Sequence, residues 1–201
     1  MIQKPMFPPR SDWVAPEILP DLSSASRIAI DLETKDPSLK LSGPGWATGD
    51  GHVTGIAIAT DGWSGYLPIR HEGGGNLDAN FVFKWLSKTL STNCDKIFHN
   101  ALYDVGWLRR EGIFLNGKIH DTVIAAPLID ENRRQYSLNS LGLDYCGEKK
   151  DESLLTEAAN SFKIDPKAEM YKLPAKFVGV YAEQDAVLTL KLWDKLRKLL
   201  E

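Results

Sequence analysis

The stretch IAIDLETKD, residues 28–36, begins as a buried strand and is then interrupted by two acids. Side chains alternate along a strand, so Ile28, Ile30 and Leu32 share one face, and Ala29, Asp31 and Glu33 share the other. Asp31 and Glu33 therefore project side by side from an element that is otherwise core. Like charges at that spacing repel, and burying either without a partner is expensive. The arrangement needs a third party to neutralise it, or a strand end that emerges into solvent.

Around this stretch lie 201 residues, enough for one α/β domain with a substantial core. Hydrophobic residues make up 43% and charged residues 25%, as in ordinary globular proteins. The net charge of −3, from 24 basic and 27 acidic residues, excludes a basic footprint that grips nucleic acid unaided. It is compatible with a nucleic-acid enzyme, because an acidic metal site contributes negative charge of its own. Cys94 and Cys146 form no C-x-x-C pair, and His52, His71, His99 and His120 are dispersed without zinc-type spacing. The start lacks the apolar stretch of a signal peptide, and no run approaches ~18 apolar residues. The expectation is a cytoplasmic chain with reduced thiols and no membrane association.

Five prolines (Pro5, Pro8, Pro9, Pro16 and Pro20) mark residues 1–26 as an extended strap ahead of a single domain, 27–201. The patterning predicts a strand at 27–34, a Gly/Pro/Ser loop after it, and two antiparallel strands joined by a turn at Asp61 and Gly62. A helix at 78–90, a strand in DKIFH (95–99) and a helix from Asn100 to a stop at Gly112 follow. IFLNGKIH (113–120) reads as a short strand. Helical stretches lie in DTVIAAPLID, YSLNSLGLDYC and DESLLTEAAN, and a last helix spans 175–200. The fold class expected is α/β, a mixed sheet of about five strands flanked by helices.

Two further pairs carry chemistry-bearing side chains. Asn100 and Asp104, in HNALYDVGWL, are four apart and share a helical face. Their structural explanation is an N-cap with an acid in the first turn. Tyr181 and Asp185, in VGVYAEQDAVLTL, are also four apart, with Glu183 between them in the manner of a surface acid. Each pair has an ordinary explanation alone.

Together, D-x-E on a first strand, N-x-x-x-D at a helix start and Y-x-x-x-D on a late helix resemble the three motifs of the DEDDy 3′→5′ exonucleases. The likeness spans about residues 27 to 195 and is strongest to the proofreading domain of family A DNA polymerases, particularly phage-type ones. It implies a ribonuclease-H-like fold and a two-metal reaction using Mg²⁺ or Mn²⁺, which prefer hard oxygen ligands. By this resemblance Asp31, Glu33 and Asp185 would ligate the ion that activates water. Asp31 would bridge to a second ion, which Asp104 reaches directly or through water. Tyr181 would orient the attacking water, Asn100 would hold the scissile end, and the Thr34 backbone would contact the terminal nucleotide. A hydrophobic wedge is expected after the first motif, where this chain has Pro37, Leu39 and Leu41. Trp46, Phe162, Tyr171 and Phe177 are candidates for base stacking, with core packing as the ordinary role. Arg133 and Arg134 are candidates for steering a phosphate backbone.

The function implied is removal of nucleoside 5′-monophosphates from single-stranded or frayed DNA 3′ ends, in the cytoplasm of a bacterium or phage-infected cell. A polymerase domain in cis or trans would deliver the strand, and the isolated domain would be a monomer. Two alternatives stand beside it: an RNA 3′-end exoribonuclease resembling ribonuclease D, and a non-catalytic nucleic-acid or polymerase-binding module of the same fold.

Overall fold

The computed structural model describes residues 5–201, so the first four residues of the expected strap lie outside it. In chain order the elements are β1 (Arg27–Lys35), α1 (Leu39–Ser42), α2 (Gly45–Thr48), β2 (His52–Thr60), β3 (Trp63–Pro68), α3 (Ala79–Leu90), β4 (Asp95–Phe98) and α4 (Ala101–Arg110). Then come β5 (Ile119–Asp121), α5 (Thr122–Ile129), α6 (Leu138–Leu141), a π-helical turn (Gly142–Cys146) and α7 (Ser153–Phe162). Two 3₁₀ turns, Met170–Lys172 and Ala175–Phe177, lead into α8 (Gly179–Leu200).

The five strands form one sheet in the order β3-β2-β1-β4-β5. The first three are antiparallel, and β4 and β5 run parallel to β1. Alternation along β1 sends Ile28, Ile30 and Leu32 to a core built with Ile56, Ile58, Leu86 and Trp107. Its other face carries Ala29, which meets Ala57, Ala59, Ala182 and Ala186. Small side chains on both partners let α8 lie close to the sheet, and burial of these clusters at roughly 25 cal/mol per Å² drives the layering. Gly55 belongs to the same scheme, because a Cβ there would stand 2.1 Å from the Tyr66 hydroxyl.

Two features of β1 make room for a site. Its parallel pairing with β4 covers only Arg27 to Ala29, so the strand runs on with one edge open. On the other edge the register slips between Glu33 and Thr34: Glu33 faces Gly55, Thr34 faces Val53, and Thr54 is the extra residue of a bulge. The open edge and the bulge fall beside Asp31 and Glu33.

The structure differs from the sequence expectations in three places. Only Ile119–Asp121 of the 113–120 segment is strand. Ahead of it the Ile113 amide bonds to Leu108 and the Asn116 amide to Leu90, so these residues close helix ends, with Ile113 buried as a plug. The loop after β1 contains α1 and α2, tied to α4 by the Arg110 guanidinium, which donates to the carbonyls of Gly49 (2.9 Å) and Asp50 (3.0 Å). The last helix starts at Gly179, because Pro174 opens a separate 3₁₀ turn. No helix among the described residues is long and apolar enough to cross a membrane.

Candidate active site

Asp31 and Glu33 reach the cleft from β1 and Asp185 from α8, and one carboxylate oxygen of each lies within 4.8 Å of the others. Strand alternation supplies the first two. The third comes from a helix face on which Ala182 and Ala186 pack against the sheet and so lower Asp185 onto β1. All three side chains hold their protons more tightly than free carboxylates. Burial is the main cause for Asp31, with the charges of Asp185, Asp104 and Glu33 adding to it. Burial and Asp185 push Glu33 up to about 8. Asp185 is raised by burial, against the opposing pull of Lys150.

These residues fit a divalent cation. The donors are all hard oxygens, as Mg²⁺ and Mn²⁺ prefer. Asp185 Oδ1 is buried with no donor aligned on it, although Lys150 Nζ stands 2.8 Å away. Three carboxylates crowded together with one lysine beside them form the kind of cluster that a divalent cation satisfies.

Asp104 is only 4% exposed and lies outside that three-residue cluster. One of its oxygens accepts the Leu32 backbone N–H at 3.2 Å. That amide lies where β1 has lost β4, so Asp104 closes the open edge of the strand and lies next to the other acids. Burial and the Glu33 charge raise its pKa well above the ordinary value, against the Leu32 hydrogen bond.

Asn100 does not cap α4 with its side chain, contrary to the structural explanation offered by its sequence position. It is exposed and held in the left-handed region, φ 81° and ψ 59°, which asparagine enters more readily than other non-glycine residues. Asp121 pins it there. Its two oxygens accept the amides of Asn100 (3.0 Å) and Ala101 (2.8 Å), and the first also accepts that of Val123 (2.9 Å). This backbone conformation turns Asn100 outward at the start of the helix that carries Asp104.

Tyr181 lies one turn before Asp185 on α8, and burial first, then Asp185, raises its hydroxyl pKa far above the ordinary range. The hydroxyl accepts a hydrogen bond from Lys150 Nζ at 3.1 Å. Sequence reasoning missed Lys150, which sits in GEKKDES and reads as part of a solvated charge run. It also missed Asp121, which carries the α4 start. Glu183 was misread as a surface acid: one oxygen accepts Trp13 Nε1 at 2.8 Å and the Tyr66 amide at 3.1 Å.

Thr34 stands at the end of β1, its hydroxyl 2.8 Å from that of Tyr103, which in turn donates to Asp36 at 2.9 Å. Beside it opens a cleft of about 780 Å³ lined by Thr34, Pro37, Leu39, Leu41, Tyr103 and Pro166. Leu41 is 92% exposed at its rim. Trp46 packs over Gly106, and Phe162 on Phe177, as core residues do. Tyr171 is likewise buried. Arg133 pairs with Asp144 and lies over the Tyr145 ring, whereas Arg134 is exposed.

Comparison with known proteins places the chain in a family. A family model described as 3′-5′ exonuclease, of the family A DNA polymerase type, matches residues 14–201. A DNA-directed DNA polymerase of Pseudomonas phage M6 is 43% identical over 199 residues, covering 95% of this chain and 30% of the polymerase. The DNA polymerase DpoZ of Salmonella phage PMBT28 is 31% identical over 183 residues, covering 88% of the chain and 27% of that protein. The chain thus spans less than a third of these curated relatives. Ribonuclease D of Trypanosoma brucei has the same fold, with a TM-score of 0.63 at 19% identity over 87% of this chain and 58% of its own. The five-stranded mixed sheet is ribonuclease-H-like, and with its three acidic motifs the chain belongs to the 3′→5′ exonuclease family of the family A DNA polymerase proofreading domains.

Proposed function

We propose that the chain removes nucleotides from the 3′ end of single-stranded or frayed DNA, releasing nucleoside 5′-monophosphates, as the proofreading unit of a DNA polymerase. The observation that carries this reading is the convergence of Asp31, Glu33 and Asp185 within 4.8 Å, with Tyr181 beside them. Asp31, Glu33, Asp104 and Asp185 are the residues that would hold two divalent ions, Mg²⁺ or Mn²⁺. When bound, such ions supply a strong nucleophile at neutral pH and stabilise charge on the leaving oxygen.

The remaining work falls to the protein's own groups. Tyr181 stays protonated at neutral pH, so its hydroxyl positions the attacking water and does not remove its proton. Asn100, turned outward by its left-handed backbone, holds the end that is cut. The Thr34 backbone and the apolar cleft beside Pro37, Leu39 and Leu41 receive the terminal nucleotide. The modest negative charge of the chain suits delivery of the strand by a polymerase domain in cis. DNA is favoured over RNA because the relatives above 30% identity are DNA polymerases. The likeness to ribonuclease D extends to fold only. On this reading the chain works in the cytoplasm of a bacterium or phage-infected cell and is a monomer on its own.

The test is a 5′-labelled single-stranded DNA incubated with Mg²⁺ or Mn²⁺, beside an Asp185→Ala variant and an EDTA control. A ladder shortening one nucleotide at a time, absent from both controls, is expected. Faster trimming of RNA of the same sequence would transfer the assignment to a ribonuclease. A folded protein that cuts neither and binds no Mn²⁺ would leave a non-catalytic binding module.

A further inference from the structure

Lys150 is the one cationic side chain that enters the carboxylate cluster among the described residues. Its ammonium lies 2.8 Å from Asp185 Oδ1 and 2.9 Å from Oδ2, and donates to the Tyr181 hydroxyl at 3.1 Å. It also stands over the Tyr181 ring, 4.5 Å from the centroid. The side chain is only 9% exposed.

Its aim is fixed by the loop that carries it. The Lys150 amide donates to Asn139 Oδ1 (3.3 Å), and the Asp151 amide to Gln184 Oε1 (2.9 Å). Lys191 holds Glu148 at 2.8 Å, and Asn139 Nδ2 donates to Glu152 at 3.2 Å. Gln184 and Lys191 belong to α8, the helix that presents Tyr181 and Asp185. The lysine and its two partners are therefore held on one rigid frame. A solvated surface lysine needs no such fastening. The polar contacts of this one go to Tyr181 and Asp185.

We propose that Lys150 is a positioning residue that acts as a tethered counter-cation for Asp185 and Tyr181. It keeps the carboxylate and the hydroxyl in their working places before a divalent ion arrives, and competes with that ion for Asp185. The proposal rests on the reading of Asp185 as a metal ligand. Two cations sharing one carboxylate repel, so binding of one weakens the hold of the other by the same factor. The lysine thereby sets how much metal the site needs, and it keeps the acids from facing one another uncompensated at low metal concentration.

The test compares wild type, Lys150→Met and Lys150→Arg without DNA, by calorimetric titration with Mn²⁺ and by thermal melting in EDTA. In Lys150→Met the Mn²⁺ affinity is expected to rise by about tenfold, and the melting temperature in EDTA to fall by several degrees. Its trimming rate at saturating Mn²⁺ is expected to fall while KM for the oligonucleotide stays within about twofold, because Tyr181 loses its donor and the strand does not. Lys150→Arg keeps the charge, so it should melt in EDTA like wild type and bind Mn²⁺ no more tightly. An unchanged or weaker Mn²⁺ affinity in Lys150→Met overturns the proposal, as does an unchanged melting temperature. If Lys150→Met folds only with Mn²⁺, the compensation is supported; Lys150→Arg behaving the same way would refute the role of charge. Wild type that binds no Mn²⁺ at all overturns the metal reading itself, a result distinct from the others.

Discussion

Replacing Asp121 by Ala should damage both stability and cutting, although the residue stands outside the acidic motifs. Its carboxylate accepts the amides of Asn100, Ala101 and Val123, so it caps α5 and anchors the start of α4 together. Loss of the α5 cap costs about 1 kcal/mol. Ala101 is 8% exposed, so its amide is left without a partner and costs a further 1–3 kcal/mol, roughly. Asn100 is exposed, and water replaces its bond at little cost. The expected loss is about 2–4 kcal/mol, read as a lowered urea midpoint at unchanged slope. With the anchor gone, Asn100 and Ala101 lose the bonds that hold their amides, and the start of α4 is expected to shift. The trimming rate should then fall by about tenfold or more under conditions where the variant is fully folded, since small misplacements of positioning groups are felt strongly. Asp121→Asn, which keeps one acceptor oxygen, should fall between the two. A loss below about 0.5 kcal/mol, or wild-type trimming by the folded variant, would refute the argument that Asp121 sets the position of Asn100 and Asp104.

Three other outcomes are expected. In EDTA the melting temperature should fall as pH rises from about 5 to 8: Glu33 titrates near 8 in the folded chain against 4.5 unfolded, so the folded state binds more protons in that window and loses stability as they leave. Glu33→Gln should flatten this slope and melt higher than wild type in EDTA at the upper end of the window, and a steeper slope would contradict the reading of Glu33. Tyr181→Phe should keep the fold and KM but lower the turnover rate by up to about a hundredfold, and a change confined to KM would make it a strand-binding residue. Glu183→Ala should lower stability by about 1–3 kcal/mol in urea melts, because the Tyr66 amide and Trp13 Nε1 lose their shared acceptor; no change would make the Trp13 contact incidental.

Much of the sheet was legible because its information is local. Alternation in residues 28–33 assigned both faces of β1, and the Asp-Gly turn at residues 61 and 62 announced the β2–β3 hairpin. Helix α3 starts where Asp78 stands as its cap, with the side chain accepting the Phe81 amide at 2.7 Å. The failures are also physical. Residues 113–118 read as part of a strand, but the amides of Ile113 and Asn116 are taken by carbonyls of α4 and α3, a tertiary choice that propensity cannot report. The bulge at Thr54 left no mark in HVTGIAIAT, since a bulge is a relation between two strands and not a property of one.

The acidic residues were legible for a different reason. A carboxylate in an apolar strand or on a half-apolar helix face contradicts its surroundings, and such contradictions point to function. Asp31 and Glu33 show it, whereas Asp185 became legible only when Y-x-x-x-D was set beside the other two motifs in the resemblance to the DEDDy exonucleases. Lys150, Asp121 and Glu183 show no such sign, because each looks at home in a polar loop or on a helix surface, and their roles arise only when distant segments meet. Lys150 reaches Asp185 across 35 positions, Asp121 reaches Asn100 across 21, and Glu183 reaches Trp13 across 170. The two acids of β1 thus announce themselves by breaking the local pattern, and Asp104 and Asp185 by the spacing of their motifs. Residues that aim those charges obey the local pattern, and only the fold reveals them. It follows that substitutions at Asp121 or Lys150 should leave the acidic motifs intact in sequence while altering what they do. The motifs therefore supply the charge of the site, and in this chain its aim rests on contacts such as those of Asp121 with Asn100 and of Lys150 with Asp185.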